Sequence, residues 1–158
     1  MKKTLMAILA ALLVIMAVDT VFAESADPYA AERASAIAAV QRSMPDAVID
    51  YAVRERDDGR YEWNVFFRQD GVLGEAKVLE AGNEVRRVEM FNQSREGALT
   101  ASEAMARLAA EKGGMTVVEL ELDWDDGRLA YEGEAEMNGR RYEFEITTDG
   151  VIIEWERD

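Results

Sequence analysis

Arg54-Glu55-Arg56-Asp57-Asp58-Gly59-Arg60-Tyr61-Glu62-Trp63 and Leu122-Asp123-Trp124-Asp125-Asp126-Gly127-Arg128-Leu129-Ala130-Tyr131 share the tetrapeptide Asp-Asp-Gly-Arg at a distance of 68 positions. Both copies sit between runs of alternating polar and apolar residues. Asp-Gly in that setting signals a two-residue hairpin turn, because a type I′ turn needs φ > 0 at both central positions and these residues reach that region at low cost. A calcium loop is the competing reading, since counting from Asp123 places Asp125 third and Glu134 twelfth. It fails on chemistry: Gly127 stands fifth, where an oxygen ligand belongs, and Arg128 sixth, where the loop needs glycine.

The same displacement aligns Gly71 with Gly139, Gly82 with Gly150, Glu75 with Glu143, Ala36 with Ala104 and Ala38 with Ala106. The glycines fall where strand runs end, which makes an internal duplication the reading of the whole chain. Each copy opens on a helix. In the first, Asp27-Pro28 reads as an N-cap followed by proline, and Ala34, Ile37, Val40 and Met44 keep helical spacing up to Pro45. In the second, Thr100-Ala101-Ser102-Glu103 is a capping box, and Ala104, Met105, Leu108 and Ala109 form a stripe that ends at Gly113-Gly114.

After each helix the period becomes two. In copy two the apolar series are Val118, Leu120, Leu122, Trp124; Leu129, Tyr131, Gly133, Ala135, Met137; Tyr142, Phe144, Ile146; and Ile153, Trp155. In copy one they are Ile49, Tyr51, Val53; Tyr61, Trp63, Val65, Phe67; Gly74, Ala76, Val78; and a last strand near Val85 and Val88. The predicted class is α+β, with two tandem repeats, each one helix packed on a four-stranded antiparallel meander. A one-residue slip between Tyr51 and Leu120 predicts a bulge in one copy. The repeats can join edge to edge or stand as separate lobes.

Residues 1–23 carry two lysines, an apolar run from Leu5 to Val18 and Val21-Phe22-Ala23, which predicts a secretory signal peptide cut after Ala23. The expected organisation is a signal peptide over 1–23, repeat 1 over 24–91, a polar linker over 92–98 and repeat 2 over 99–158, in a periplasmic or secreted protein. Cysteine and histidine are both absent. That removes disulfides, thiolate nucleophiles, imidazole bases and the usual ligands of zinc, copper and haem, so no cofactor and no metal centre are expected. A formal net charge of −14 disfavours nucleic acid and anionic membrane surfaces.

The helix-then-strand order, with Arg60-Tyr61-Glu62-Trp63-Asn64-Val65-Phe66-Phe67-Arg68-Gln69-Asp70-Gly71 in copy one and Arg140 to Glu156 in copy two, resembles the PepSY domain family and its PepSY-like relatives. The layout is similar to the tandem helix-plus-sheet repeats of beta-lactamase inhibitory protein. Met44-Pro45-Asp46 is similar to the family's helix exit, while Gly113-Gly114 departs from it. The resemblance implies an exported, non-catalytic module that binds or restrains another protein, often a peptidase, and it supplies no shared catalytic residues.

The outer face of the second sheet is expected to carry Glu119, Glu121, Asp123, Glu132, Glu134, Glu136, Glu143, Glu145, Glu154 and Glu156, relieved mainly by Arg141. The first sheet's outer face is expected to mix Arg54, Arg56, Arg68, Lys77 and Arg86 with Asp50, Glu62 and Glu75, and to show Phe66 and Leu79 where polar residues belong. Candidate partner-binding residues are therefore Phe66, Leu79, Glu121, Glu134, Glu143 and Glu154. The acidic face reads as a solvated surface, as a docking face for a protein with a basic surface, or as a weak calcium-binding face. A carboxylate-based hydrolase is a remote alternative, since such catalysis needs a cleft that desolvates one acid.

Overall fold

The computed structural model describes residues 27–92 and 97–158. The expected signal peptide lies outside them, as do residues 93–96 of the expected linker. Helix α1 (Ala30–Ser43) precedes β1 (Val48–Asp57), β2 (Arg60–Gln69), β3 (Val72–Leu79) and β4 (Glu84–Phe91). Helix α2 (Ala101–Lys112) precedes β5 (Thr116–Asp125), β6 (Arg128–Met137), β7 (Arg140–Thr147) and β8 (Ile152–Arg157). The strands form two separate four-stranded antiparallel meanders, β1-β2-β3-β4 and β5-β6-β7-β8. The fold is α+β with two tandem repeats.

Asp-Asp-Gly-Arg is the turn in both. Asp58 and Gly59 have φ of 46° and 77°, Asp126 and Gly127 have 45° and 77°, so both hairpins close through two left-handed residues. Helix α2 starts on its capping box, with Thr100 accepting from the Glu103 amide and Glu103 returning the bond, and it stops at Gly113 with φ 102°. Helix α1 begins two residues later than expected. Its N-cap is Tyr29, without a side-chain bond, because the Asp27 carboxylate instead takes the Tyr29 amide at 2.9 Å and pairs with Arg33. Its buried stripe is Ala36, Ala39 and Val40, and Ala34 is exposed.

The bulge occurs in both copies rather than one. Register slips at Asp50 between Ile49 and Tyr51, and again at Val118 between Val117 and Glu119, which are equivalent positions of the repeat. A second pair of bulges occurs at the Lys77/Val78 and Glu145/Ile146 steps. These slips redirect side chains. Tyr51 and Val53 turn away from α1, Arg54 turns toward it, and Ile152 takes the core position expected of Ile153, which is exposed.

Two cores result. One lies between α1 and sheet 1, built on Trp63, Val65, Phe67, Ala76 and Val78. The other joins the opposite face of sheet 1, through Val53, Phe66, Leu73 and Phe91, to α2 and the inner face of sheet 2. The repeats thus neither extend one another's sheet nor stand apart: the second packs onto the outer face of the first. Asp50, the extra residue of the β1 bulge, accepts the Ser102 amide at 3.0 Å in the first turn of α2, and Arg68 donates to the Ala98 carbonyl. The outer face of sheet 2 receives no such cover from the described residues.

Candidate functional site

Alternation in the stretches of β5 to β8 between the bulges, with register fixed by the two-residue turns at Asp126-Gly127 and Asn138-Gly139, sets glutamate opposite glutamate. Glu119 pairs with Glu134, Glu134 with Glu143 and Glu143 with Glu156. Beside them Glu121 pairs with Glu132, Glu132 with Glu145 and Glu145 with Glu154. Two ladders of four carboxylates cross the whole sheet, with rungs about 4.8 Å apart. Glu119, Glu132, Glu143 and Glu156 are exposed and the other four are half-buried. Arg141 relieves one corner, 2.7 Å from Glu134 and 3.6 Å from Glu136. Partial burial, together with Glu134 and Glu121, raises the Glu119 carboxyl above its ordinary value.

Four of the sequence candidates meet on this face. Glu134 and Glu143 are the central rungs of one ladder, and Glu121 and Glu154 are the two ends of the other. Phe66 and Leu79 do not join them. Phe66, expected to be open to a partner, is 1% exposed, with its ring centroid 6.4 Å from Tyr51 and 6.1 Å, edge-on, from Tyr131. The second repeat covers it. Leu79 lies half-buried at the rim of sheet 1, opposite Glu62.

Where the ladders end, at β5, sheet 2 meets sheet 1. β5 is an edge strand, and two buried side chains of sheet 1 satisfy two of its outward backbone groups. Asn64 donates to the Leu120 carbonyl at 2.9 Å, and the Glu75 carboxylate accepts the Leu122 amide at 3.0 Å. Lys77 bridges Glu121 of β5 and, at 3.4 Å, the buried Glu55, which also accepts from Asn64 at 3.2 Å. Burial pushes Glu55 up to about 7 against the pull of Lys77, and pushes Glu75 up to about 7 against its bond from Leu122. Burial acts to lower Lys77, but Glu121, Glu55 and Glu75 together raise it above its ordinary value. A polar groove of about 280 Å³ opens along this seam, lined by Glu55, Arg56, Asp57, Lys77, Glu119 and Glu121.

Sequence reasoning missed this seam. A signal was present in Trp63-Asn64-Val65-Phe66-Phe67, an apolar run interrupted by one amide. Such a run fits a strand buried on both faces, where a polar residue survives only with a partner.

Chemically the glutamate lattice can attract cations and hydrogen-bond donors. Its flatness spreads the carboxylates, and among the described residues no three acidic side chains are placed to hold a metal ion. No helix of the described residues is long and apolar enough to cross a membrane.

Residues 98–147 match the family model described as peptidase propeptide and YPEB domain, or PepSY. No curated protein matches the chain. Among solved structures, a candidate lipoprotein from Clostridium difficile 630 is similar at 20% identity and a TM-score of 0.44, over 78% of this chain and 90% of that one. A DUF2874 family protein from Bacteroides uniformis ATCC 8492 is similar at 17% identity and a TM-score of 0.32, over 78% and 88%. Both likenesses are too remote to speak to activity or partners. Residues 98–147 of the second repeat thus match the PepSY family model, and the first repeat follows the same plan of one helix and a four-stranded meander.

Proposed function

We propose that this chain is an exported, non-catalytic module of the extracellular space or cell envelope that binds, and by binding restrains, another protein through the glutamate face of sheet 2. One observation carries the reading. On sheet 1 the face turned away from its helix is occupied by a docked structural unit, the second repeat; on sheet 2 no described residue packs over the equivalent face, which carries two glutamate ladders. A face with glutamate opposite glutamate over four strands, relieved only in part by Arg141 and Lys77, costs stability through like-charge neighbours, and a basic partner surface would offset that cost. The PepSY domain supports the non-catalytic part of the reading. A peptidase or another cell-envelope enzyme is the partner class that the family resemblance favours.

The test uses the chain from Glu24 and a triple variant, Glu134→Gln, Glu143→Gln and Glu154→Gln, as baits for periplasmic extract, followed by affinity measurement with the purified captured protein. The expected result is a stoichiometric basic partner, whose association slows at least tenfold in the variant and weakens steeply up to about 150 mM salt. Equal binding by the variant, or affinity indifferent to salt, overturns the reading.

A further inference from the structure

The ladders end at β8, and among the described residues β8 is also the free edge of sheet 2: it is hydrogen-bonded to β7 and closes the strand order. An edge strand offers a row of unpaired backbone donors and acceptors to any extended chain. Its side chains specify what that chain must carry. Glu154 and Glu156 are the last rungs of the two ladders, and among the described residues no ion pair reaches either of them. Between them Trp155 points to the opposite face, half-buried and stacked on Tyr142 with ring centroids 4.9 Å apart.

The corresponding edge of sheet 1 differs. On β4 the arginines find partners within the chain, Arg86 with Glu62 at 2.7 Å and Arg87 with Glu89. That edge pairs its arginines within the chain, whereas on β8 the nearby positive groups are Arg157 of the strand itself and Lys112, whose Nζ stands 5.5 Å from the Trp155 ring on the other face, and among the described residues neither Glu154 nor Glu156 is in an ion pair.

We infer that β8 takes up an extended peptide segment of basic–apolar–basic pattern as a fifth strand of sheet 2. An added strand lies about 4.8 Å beyond β8, with alternate side chains on alternate faces. Two basic residues separated by one position continue the ladders beside Glu154 and Glu156, while the residue between them packs on Trp155. A second copy of this chain is disfavoured as occupant, because its own β8 would set glutamate against glutamate. The basic character of the segment rests on the proposed function; the pairing with the edge rests on the position of β8.

The probe is a blocked seven-residue peptide alternating lysine and valine, compared with the same peptide N-methylated on alternate residues and with a version in which glutamate replaces lysine. Binding is followed by amide hydrogen exchange of residues 152–157. The lysine peptide is expected to protect β8 amides, and N-methylation, which deletes edge-facing donors, is expected to weaken binding at least tenfold. Glu154→Lys with Glu156→Lys is expected to reverse the preference toward the glutamate peptide. Equal binding of the N-methylated peptide, without protection of β8, overturns the edge inference while leaving the acidic face as a docking surface. Failure of every basic peptide to bind, in a protein that also shows no salt-dependent basic partner, overturns both.

Discussion

Asn64, Phe66, Glu75 and Lys77 form the centre of one face of sheet 1; Glu132, Glu134, Glu143 and Glu145 occupy the same four positions of the repeat in sheet 2. The lattices coincide, down to both bulges, yet the first set holds a neighbouring repeat and the second is a sheet of carboxylates. Strand pairing and turn chemistry thus determine where side chains lie. Whether a face becomes core or surface is decided by what else the chain brings to it.

The largest effect expected from this comparison is at Phe66. Phe66→Ala empties a site that is 1% exposed between the repeats and is expected to cost about 3–5 kcal/mol, read from urea unfolding. Glu134→Ala, its counterpart, is expected to stay within about 0.5 kcal/mol. Similar losses for the two would erase the distinction between the faces.

Acidity provides the next test. Glu55 and Glu75 are both raised to about 7 by burial, so the folded state binds their protons more tightly than the unfolded chain, where the ordinary value is 4.5. Their contribution is complete below about 4.5 and is lost as pH rises through about 7, a decline on the order of a few kcal/mol. Glu80, lowered by its bond to Arg54, works in the opposite sense and loses its contribution as pH falls. Replacing Glu55 and Glu75 together with Gln is expected to flatten the decline in melting temperature between pH 5 and pH 8, and an unchanged slope would show that the seam does not carry it.

Asn64→Ala is expected to cost about 1–3 kcal/mol, since it leaves the Leu120 carbonyl and Glu55 without their shared donor. Hydrogen exchange along β5 should rise in that variant more than along β8. The smallest effect has the opposite sign. Glu143→Gln with Glu156→Gln removes one directly opposed pair and is expected to raise stability by up to about 1 kcal/mol at low salt, the gain fading as salt increases.

Much of this was legible in the residues. Asp58-Gly59 and Asp126-Gly127 gave the hairpins because only a few residues tolerate their backbone angles, and Thr100 with Glu103 gave a helix start because its bonds are local. The glutamate face followed from alternation in β5 to β8 between the bulges. The bulge before the Asp-Asp-Gly-Arg turn was expected in one copy and occurs in both, at Asp50 and Val118, because Tyr51, Ala52 and Val53 are all apolar and leave the inward face of β1 ambiguous. Phe66 was placed on the correct face and given the wrong surroundings. Its burial depends on a repeat whose docking angle no local pattern records. Asn64 and Glu75 were unreadable as seam residues for the same reason: their acceptor and donor are backbone groups of β5.

The way Asn64 and Glu75 close the outer edge of β5 bears on how the molecule can be divided. A fragment beginning at residue 98 would hold the segment that matches the PepSY model, with α2, β5 and the whole glutamate lattice, but it would present a raw strand edge and a bare apolar patch in place of sheet 1. Such a fragment is expected to self-associate, which its oligomeric state measured by light scattering checks. During synthesis the first repeat emerges first, so the face of sheet 1 that meets β5 can be in place when the second repeat arrives.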